Sequence, residues 1–501
     1  MLVILALFVV FGSLLYYYLT HNYDYWKNRG ITGPEPKLFV GTLPSTYNKK
    51  VHLFYEIDEI YRKYKGKQSV VGIYRGIVPE LLILDPELIK SCMTTNYKYF
   101  GKPGSNFESL TKETDPLFGR NPFNLEGEEW KEKRGEILPA FSSQRIKALF
   151  PIMEAVVDKM KQYIKAEMKV LENIETREMC SKYTTDIVCN SIFGVDSGAF
   201  SEQKSELRDI ARNIFKPPWY TFIVFGLAPN FPFILKLLPL RLVPEKYTNF
   251  ITDLLEKSIA YRKETKLERQ DFVDFLIQLQ QKKGISNLDI AGHTMTFFFD
   301  GIESSSITLS FVFYELAKNK QVQDKLRQLL NEIKQKDGNF EYDNLVDHEY
   351  LDQVLMETMR LHPALPQLRR KCTETYDMKL PEGQIVRIEK GIVIGFPTMK
   401  IFTDPEYYGS DAEQFVPERF NAEHGGVKHF RDKGVFYPFG DGPRICLGQR
   451  FAHAQVKCAI AQIVTNFDIS VSDKMPENPE YNPMDLLLAF KGGILLKFKE
   501  I

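Results

Sequence analysis

The most informative part of this 501-residue chain is the stretch Phe439-Gly440-Asp441-Gly442-Pro443-Arg444-Ile445-Cys446-Leu447-Gly448. It places a cysteine on a turn containing glycine and proline, just ahead of a helical pattern that begins at Gln449. The partial positive charge at a helix N-terminus favours the thiolate form of a cysteine, and Arg444 adds a nearby cation. Gly442 and Gly448 carry no Cβ and let the backbone pass close to a flat group, to which Phe439 offers an aromatic face.

Together these residues predict a cysteine thiolate, Cys446, that binds a haem iron from one side. Two other interpretations compete with this one. A lone cysteine at a turn is most often a buried and inert thiol. A zinc site would need clustered ligands, and the cysteines at positions 92, 180, 189, 372, 446 and 458 show no C-x-x-C pair and no matching histidine cluster. The residues around Cys446 favour the haem interpretation.

The stretch matches every fixed position of F-x-x-G-x-R-x-C-x-G and resembles the haem-binding signature of the cytochrome P-450 superfamily. The resemblance covers essentially the whole chain after residue 30 and is strongest to microsomal members, especially the insect groups that metabolise xenobiotics. It implies a mainly α fold with small β-sheets that encloses haem b. It also implies a monooxygenase that inserts one oxygen atom of O2 into a lipophilic substrate, by hydroxylation or epoxidation, and releases the other as water.

The same resemblance implies a partner and a location. Electrons would come from NADPH through NADPH-cytochrome P-450 reductase, with cytochrome b5 as a further candidate donor. The protein would reside in the endoplasmic reticulum membrane and act on xenobiotics or on an endogenous lipid or hormone. The sequence shows no G-x-G-x-x-G or P-loop pattern for a nucleotide, so a partner protein must supply the electrons.

The charge balance and the cysteine spacing exclude some classes of protein. Lys+Arg and Asp+Glu both number 65, so the formal net charge is zero. This balance argues against a nucleic-acid binder that relies on phosphate contacts. Six cysteines without paired spacing indicate a reducing compartment and not a disulfide framework.

Residues 1–19 are nearly all apolar, which is long enough for a helix to span a hydrocarbon core of about 30 Å. The absence of a basic leader and of an obvious cleavage site disfavours a signal peptide. An aromatic belt followed by Lys27 and Arg29 predicts a single-pass anchor with the next domain in the cytosol, and disfavours a buried core helix. The belt comprises Tyr16, Tyr17, Tyr18, Tyr23, Tyr25 and Trp26.

The predicted organisation is a membrane anchor at 1–20, a linker at 21–41 and a haem-thiolate catalytic domain at 42–501. Pro34 and Pro36 predict a stiff turn in the linker, where the resemblance implies a proline hinge. Long helical patterns then dominate, with short strand-like segments and no βαβ repeat. The predicted helices cover 53–64, 128–138, 146–171, 180–192, 201–215, 245–264, 271–281, 287–318, 321–335 and 348–361. The predicted strands cover 69–74, 81–84, 373–378, 391–396 and 494–498.

The middle of the longest helical pattern reads Asp300-Gly301-Ile302-Glu303-Ser304-Ser305-Ser306. Glycine followed by hydroxyl residues is unfavourable inside a helix. The pattern predicts a helix that crosses a flat cofactor, with Gly301 allowing close approach and a local bulge that binds water. Glu303 and Ser304 form an acid–alcohol pair that could relay protons to the oxygen being activated. The alternative is a kinked core helix whose hydroxyls bond back to the preceding turn.

This segment resembles the family's oxygen-activation motif, small-Gly-x-Asp/Glu-Thr-Thr/Ser, with two departures. Asp300 replaces the usual small residue and adds a second candidate catalytic carboxylate one turn from Glu303. Ser304 replaces the usual threonine and lacks the β-methyl that stiffens χ1. The second departure predicts oxygen activation with looser coupling.

Two further motifs resemble parts of the family's cofactor scaffold. Glu357 and Arg360 stand at i, i+3 among apolar residues and resemble the structural Glu–Arg pair, and Arg419 would close a Glu–Arg–Arg network. Trp130 and Arg134 stand at i, i+4, a spacing that either lets an indole N–H and a guanidinium point at one anionic group or forms an ordinary helix-face pair. Their match to the family's W-x-x-x-R segment implies that both bind a haem propionate.

Weaker predictions concern the surroundings of these motifs. Arg369 or Arg370 stands near the place of a further arginine in many relatives, where Gln367 lies here. Lys131 and Lys133 are candidates to meet an acidic electron donor, although such lysines are usually just solvated. The pocket lining is expected from Phe297 to Asp300 and after Arg360, and His293 is expected to be a packed core residue.

The segment Trp219 to Leu240 is strongly apolar and aromatic and contains three prolines. It is either a core-packed connection between helices or, by resemblance to membrane-bound members, a lid that dips into the bilayer and admits lipophilic substrates.

Two other functions stay open from the sequence. A haem-thiolate isomerase or dehydratase would act on peroxides without O2 or a reductase, which the Glu303–Ser304 pair disfavours. A membrane-anchored protein that binds lipophiles or carries haem without turnover is compatible with the serine at position 304.

Overall fold

Helices make up most of the computed structural model, which describes residues 1–104, 112–201, 207, 209–210, 226–231, 233–237, 241, 243–266, 269 and 271–501. The predicted mainly α fold with small sheets is confirmed. The α-helices are α1 (Leu2–Thr20), α2 (Ser45–Asn48), α3 (Leu53–Tyr64), α4 (Pro86–Met93), α5 (Gly127–Ile137), α6 (Ser143–Glu167), α7 (Thr176–Phe193), α8 (Ile234–Leu237), α9 (Glu245–Thr265), α10 (Phe272–Lys283), α11 (Asn287–Lys318), α12 (Lys320–Ile333), α13 (Tyr342–Val346), α14 (Glu349–Leu361), α15 (Thr398–Phe402), α16 (Pro405–Tyr408), α17 (Gly426–Asp432) and α18 (Gln449–Val464). The helix predicted at 201–215 and the apolar segment Trp219 to Leu240 lie largely outside the described residues.

The longest helix, α11, runs through the centre of the molecule. The side chain of Ser286 caps its N-terminus by accepting a hydrogen bond from the N–H of Asp289. Every residue from Ser305 to Leu316 is buried, as is typical of a helix packed on all sides. Earlier along the helix the burial is interrupted at Phe299–Gly301 and at residues 303 and 304. This interruption shows where α11 borders open space inside the protein.

The strands form three small sheets. The strands are β1 (Val70–Arg75), β2 (Val78–Ile83), β3 (Lys102–Pro103), β4 (Ile174–Glu175), β5 (Leu368–Lys371), β6 (Tyr376–Lys379), β7 (Ile385–Ile388), β8 (Val393–Phe396), β9 (Phe467–Val471) and β10 (Leu495–Glu500). The largest sheet has the order β1-β2-β8-β5-β3, in which β2 and β8 run parallel. The other two sheets have the orders β4-β10-β9 and β6-β7. The sequence did not predict β5, because Leu-Arg-Arg-Lys shows no apolar alternation.

The helix α1 is long and apolar enough to cross a membrane, with a mean hydropathy of 2.3 and little of its surface buried. Membrane anchoring is consistent with this finding. The aromatic residues of the predicted belt do not form one interfacial surface, because Tyr16 and Tyr17 in α1 are exposed whereas Trp26, after α1, is 2% exposed. Trp26 donates its indole N–H to the carbonyl of Ile73 in β1 at 3.3 Å, and Ile31 joins the hydrophobic core. The chain after α1 is therefore packed on the sheet, while the domain boundaries 1–20, 21–41 and 42–501 stay a prediction.

Replacing Gly72 by alanine should destabilise the fold, because a Cβ there would lie 2.4 Å from Cγ of Trp26. Overpacking of this kind costs about 1–3 kcal/mol in the free energy of unfolding. Thermal unfolding followed by circular dichroism measures the loss. The matched control is Gly135→Ala in α5, where no atom lies within 4 Å of the new methyl group. Equal unfolding temperatures for the two variants would contradict the packing of Trp26 on β1.

Candidate active site

The turn that carries Cys446 is fixed by backbone contacts. The N–H of Cys446 donates to the carbonyl of Phe439 at 2.9 Å. The N–H groups of Gly448 and Gln449 bond to the sulfur and lower the pKa of the thiol. Gly442 has a φ of +67°, and a Cβ there would lie 2.0 Å from the carbonyl oxygen of Met93 in α4. The turn and its approach to α4 therefore require Gly442, while its role beside a flat group stays a prediction.

The sulfur of Cys446 lines an internal cavity. Cys446 has exposed surface, whereas the other five cysteines are buried. Burial nevertheless raises the pKa of its thiol to about 11, and the Asp300 carboxylate contributes to the rise. A side chain that is accessible and yet deep in the protein must face a void. Asp300 of α11 also has exposed surface, so α11 and the cysteine turn border the same cavity.

The cation nearest to the sulfur is Arg134 and not Arg444. Arg134 lowers the pKa of the Cys446 thiol, while Arg444 donates to the carbonyls of Pro122 and Leu125 at 3.3 and 2.6 Å. Burial outweighs this cation and the two backbone N–H groups, so the pKa of the thiol lies above its ordinary value without a bound metal ion. A bound metal ion would supply the missing positive charge.

Three guanidinium groups converge beside the cysteine turn without a carboxylate partner among the described residues. Arg134 donates to the carbonyl of Ile445 at 2.6 Å, and the guanidinium of Arg444 lies 4.2 Å from the ring centre of Trp130. Burial lowers the pKa values of Arg370 and Arg444 to about 10. Arg370 and Arg134 also lower the pKa of Arg444 by charge repulsion, so the three groups are close together.

Buried cations without counter-charges are unstable, which indicates that an anionic ligand belongs at this edge of the cavity. The two propionates of a haem carry the required charges and the planar oxygen pairs that arginine prefers. A cavity with a free thiol and three unpaired guanidiniums at its edge therefore fits a haem. Arg369 does not belong to this cluster, because it is ion-paired with Glu80. The structure thus places Arg370, and not Arg369, beside the predicted Trp130 and Arg134.

The α-helical hydrogen bonding of α11 continues through residues 300–306, so the described residues contain no bulge there. Ser304 donates its hydroxyl to the carbonyl of Asp300 at 3.0 Å, and Ser306 donates to that of Glu303 at 2.9 Å. A Cβ on Gly301 would meet Cγ2 of Val188 in α7 at 3.2 Å. Gly301 therefore allows the close approach of α7, and its contact with the cofactor stays a prediction.

The two carboxylates of this segment have opposite surroundings. Glu303 is ion-paired with Arg177 of α7, which also lies 3.2 Å from Asp485. Asp300 forms no ion pair with a described residue, and burial raises the pKa of its carboxyl to about 7. Arg177 was not predicted from the sequence, because nothing local in the sequence connects it with a residue 126 positions away.

A glutamine joins the helix after the cysteine to α11. Gln455 of α18 donates its Nε2 to the hydroxyl of Ser305 at 2.8 Å and lies 3.4 Å from the carbonyl of Gly301. The carbonyl of Gln455 itself accepts a hydrogen bond from the hydroxyl of Tyr183 in α7 at 2.8 Å. This contact fixes α18, which follows Cys446, against the segment of α11 that borders the cavity. The sequence did not predict this role of Gln455, because neither its distance from the other motifs nor its residue type indicates a contact with α11.

Comparison with known proteins agrees with this geometry. The family model described as "Cytochrome P450" (cytochrome P-450) matches residues 31–498. The chain belongs to the cytochrome P-450 family. It is 33% identical to "Probable cytochrome P-450 28a5" of Drosophila melanogaster over the full length of both chains. It is 34% identical to "Probable cytochrome P-450 28d1" of the same species, covering 99% of this chain and 98% of the relative, and 30% identical to "Cytochrome P-450 6A1" of Musca domestica, covering 98% and 97%.

Membership makes this chain a haem-thiolate monooxygenase in general terms, and haem and O2 follow from the family. It also implies a redox partner and a lipophilic substrate. The chain departs from the family's usual motif at Asp300 and Ser304, and the structure places both residues on the part of α11 that borders the cavity.

In this P-450 the three residues of the predicted Glu–Arg–Arg network contact one another. Arg360 donates Nε and Nη2 to the two carboxylate oxygens of Glu357, each at 2.7 Å, and both side chains are fully buried. Arg419 lies 3.5 Å from the same carboxylate. Arg360 also donates to the carbonyls of Phe402 and Ala412 at 2.8 and 2.6 Å. The network therefore ties α14 to the irregular chain that leads to the cysteine turn.

Other predicted residues have simpler surroundings. The ring of Phe439 lies 5.2 Å from that of His453. Lys131 is ion-paired with the exposed Glu128. Lys133 and the buried His293 both contact Glu136, at 3.1 and 2.9 Å. His293 is therefore a core residue held by a hydrogen bond, and Lys133 is already engaged within the protein.

A separate cleft of about 330 Å³ lies between α3, the end of α11 and the end of α14. It contains none of the predicted site residues. His362 borders it and bonds to Glu315 and to Tyr481, at 2.8 and 3.0 Å, so both ring nitrogens are satisfied. The cleft therefore shows no unpaired histidine nitrogen that would require a ligand.

Glu357→Gln should abolish haem retention in this P-450. Removing the Glu357 carboxylate leaves the fully buried guanidinium of Arg360 without a counter-charge, while Arg419 keeps its ion pair with Asp411. Such a loss costs about 3–5 kcal/mol. Haem content per protein and the temperature of thermal unfolding measure the effect. The control is Glu128→Gln, which breaks an exposed pair worth under about 1 kcal/mol. A Glu357→Gln protein with full haem content would rule out a role for the network in holding the cofactor scaffold.

Proposed function

We propose that this P-450 is a membrane-anchored monooxygenase that hydroxylates or epoxidises small lipophilic substrates, xenobiotics or an endogenous lipid or hormone, with NADPH-derived electrons. The observation that carries the proposal is the cavity bordered by the Cys446 sulfur, with three guanidiniums at its edge that have no carboxylate partner in the part of the chain that the structure describes. NADPH-cytochrome P-450 reductase is the proposed electron donor and cytochrome b5 a second one. The exposed apolar helix α1 supports residence in the endoplasmic reticulum membrane, with the catalytic domain in the cytosol.

The residues divide into a set that holds the cofactor and a set that handles protons. We assign Cys446 as the residue whose sulfur would bind the iron of haem b, and Arg134, Arg370 and Arg444 as the groups that would bind its propionates. Trp130 stacks against Arg444 and keeps that guanidinium in place. The ring of Phe439 packs on that of His453, and we assign Phe439 to the set that would contact the haem. When bound, haem supplies O2 binding and its activation by reduction.

Proton delivery is assigned to Ser304 and Glu303. The Ser304 hydroxyl is bonded to the carbonyl of Asp300, and rotation about χ1 turns it towards the cavity. Glu303 is ion-paired with Arg177, so this carboxylate must part from Arg177 before it can pass a proton on. Ser304 rotates more freely than a threonine would, since it lacks the β-methyl group.

The carbon monoxide difference spectrum of the reduced protein tests the ligand. We expect a strongly red-shifted Soret band in the wild type and its loss in Cys446→Ala, because the shift requires a thiolate on the iron. Cys458→Ala is the matched control, since Cys458 is buried on α18 and faces no cavity. An unshifted band in a wild-type protein that retains haem would rule out thiolate ligation and the monooxygenase function with it.

Ser304→Thr should tighten the coupling of electron use to product. A threonine hydroxyl is restricted in χ1 and spends more time in one orientation, so less hydrogen peroxide should form per NADPH oxidised. Ser310→Thr is the control, two turns further along α11, where the hydroxyl bonds to the carbonyl of Ile307. Unchanged peroxide formation in Ser304→Thr would show that the loss of the methyl group does not loosen coupling.

NADPH dependence separates the proposed reaction from its rivals. A peroxide isomerase or dehydratase would turn over without NADPH and O2. A protein that only binds lipophiles would show a spectral shift with substrate and form no product in the presence of the reductase. Product formation that needs NADPH, O2 and the reductase together supports the monooxygenase.

A further inference from the structure

The carboxylate of Glu303 shares its arginine with a second carboxylate. Arg177 of α7 directs Nη2 to Glu303 and Nη1 to Asp485, the latter at 3.2 Å, so that one guanidinium bridges two acidic side chains. Burial alone would lower the pKa of Arg177, but the two carboxylates outweigh it and raise that pKa above its ordinary value. None of the sequence motifs includes Asp485, which lies on a turn far along the chain.

The backbone of Asp485 is held in place. Its N–H donates to the carbonyl of Asn482 at 3.3 Å. Its carbonyl accepts from Nε2 of His52 at 3.2 Å, since the other ring nitrogen of His52 already accepts from the N–H of Phe54. The carboxylate of Asp485 therefore stays within reach of the guanidinium when the side chain of Glu303 moves.

Glu175 is also close to this arginine, but backbone groups occupy its carboxylate. Its two oxygens accept hydrogen bonds from the N–H groups of Arg177, Glu178 and Ile494, at 3.2, 2.6 and 3.0 Å. This carboxylate caps the N-terminus of α7 and is not free to follow the guanidinium. Among the described residues, Asp485 is thus the carboxylate that can hold Arg177 when Glu303 leaves.

Parting from Arg177 is costly for Glu303 unless the cation that stays behind keeps a partner. The side chain of Arg177 is 30% exposed, so water replaces only part of a lost ion pair. An uncompensated charge in a poorly solvated site is strongly destabilising. A carboxylate that already lies 3.2 Å away compensates that charge before the first one has left. Asp485 therefore lowers the cost of releasing Glu303.

We propose that Asp485 is a positioning residue for proton delivery, because it keeps Arg177 neutralised while Glu303 leaves the ion pair. The inference rests on the proposed function, since it concerns the proton-carrying carboxylate of that same site. Glu303 parts from Arg177, takes up a proton from solvent and passes it to the hydroxyl oxygen of Ser304. The hydroxyl gives up its own proton to the cavity, and the carboxylate of Glu303 returns to Arg177.

A double-mutant cycle in the haem-loaded, full-length protein in lipid nanodiscs tests whether the two carboxylates replace each other. Glu303→Gln leaves Arg177 with Asp485, and Asp485→Asn leaves it with Glu303. Each single change should therefore lower the temperature of thermal unfolding only slightly. The double variant leaves the guanidinium unpaired and should lose more than the sum of the two single losses. Additive losses would show that neither carboxylate substitutes for the other, and would overturn the proposal.

Turnover of ethoxycoumarin, a small lipophilic aryl ether, with NADPH, O2 and the reductase tests the role in proton delivery. Asp485→Asn should lower kcat by about tenfold, equal to about 1.4 kcal/mol in the barrier. It should also raise the solvent deuterium isotope effect on kcat and leave KM unchanged, because only the proton step becomes slower. Asp485→Glu should restore both values, since it keeps the carboxylate. An unchanged isotope effect in Asp485→Asn would make the role of Asp485 purely structural and overturn the proposal.

Two further variants complete the design. Asp377→Asn is the charge control, because Asp377 is exposed on β6 and paired with the exposed Arg387, and it should change neither the unfolding temperature nor kcat. Asp485→Ser replaces Asp485→Asn if that variant does not fold. The unfolding cycle needs no substrate and decides the proposal alone if the probe is not turned over.

The carbon monoxide spectrum, recorded on the same samples, separates the levels of the proposal. A wild type without the red-shifted band contradicts the proposed function. A wild type with the band, in which Glu303→Gln keeps full turnover and an unchanged isotope effect, contradicts the assignment of Glu303 and with it the role of Asp485. A wild type with the band, an impaired Glu303→Gln and an unimpaired Asp485→Asn contradicts only the role of Asp485.

Discussion

Burial of charge is the constraint that organises this structure. Glu357 lies between Arg360 and Arg419 and balances them inside the core. The guanidinium of Arg370 is buried and those of Arg134 and Arg444 are half-buried, but the three have no carboxylate partner among the described residues. An isolated buried cation is unstable. The cluster around Glu357 contains its own carboxylate and needs no ligand. The cluster of Arg134, Arg370 and Arg444 needs an anionic ligand in place. Folding and cofactor binding are therefore coupled through the second cluster.

The sequence predicted those parts of the fold that local pattern controls. The bounds of α11 and α3 agree with the apolar periodicity, because each helix buries a continuous face. The strand β5 was missed because its side chains do not alternate between core and solvent. Arg369 is ion-paired with Glu80, and Arg370 belongs to the arginine cluster. The fixed residues around Cys446 predicted a thiol at a cavity, because a short turn places them together whatever the rest of the chain does.

The parts that the sequence could not predict involve contacts between distant elements. The ion pair of Glu303 with Arg177 joins residues 126 positions apart, and no local pattern marks it. Gly301 was assigned to the cofactor because a mid-helix glycine signals a close approach, but the pattern does not state which neighbour approaches. In the structure that neighbour is Val188 of α7. The sequence likewise does not state which group approaches Gly442. In the structure that group is the carbonyl of Met93.

The contacts of Gln455 explain why α11 is regular where a bulge was expected. Its Nε2 is shared between the hydroxyl of Ser305 and the carbonyl of Gly301. The Ser305 hydroxyl accepts a hydrogen bond from the Gln455 side chain. No backbone hydrogen bond of α11 therefore has to break to provide an acceptor. Because Tyr183 fixes the backbone of Gln455 from α7, three helices meet at this point. The hydroxyl of Ser305 is thus used to hold helices together, and Ser304 is left as the hydroxyl that borders the cavity.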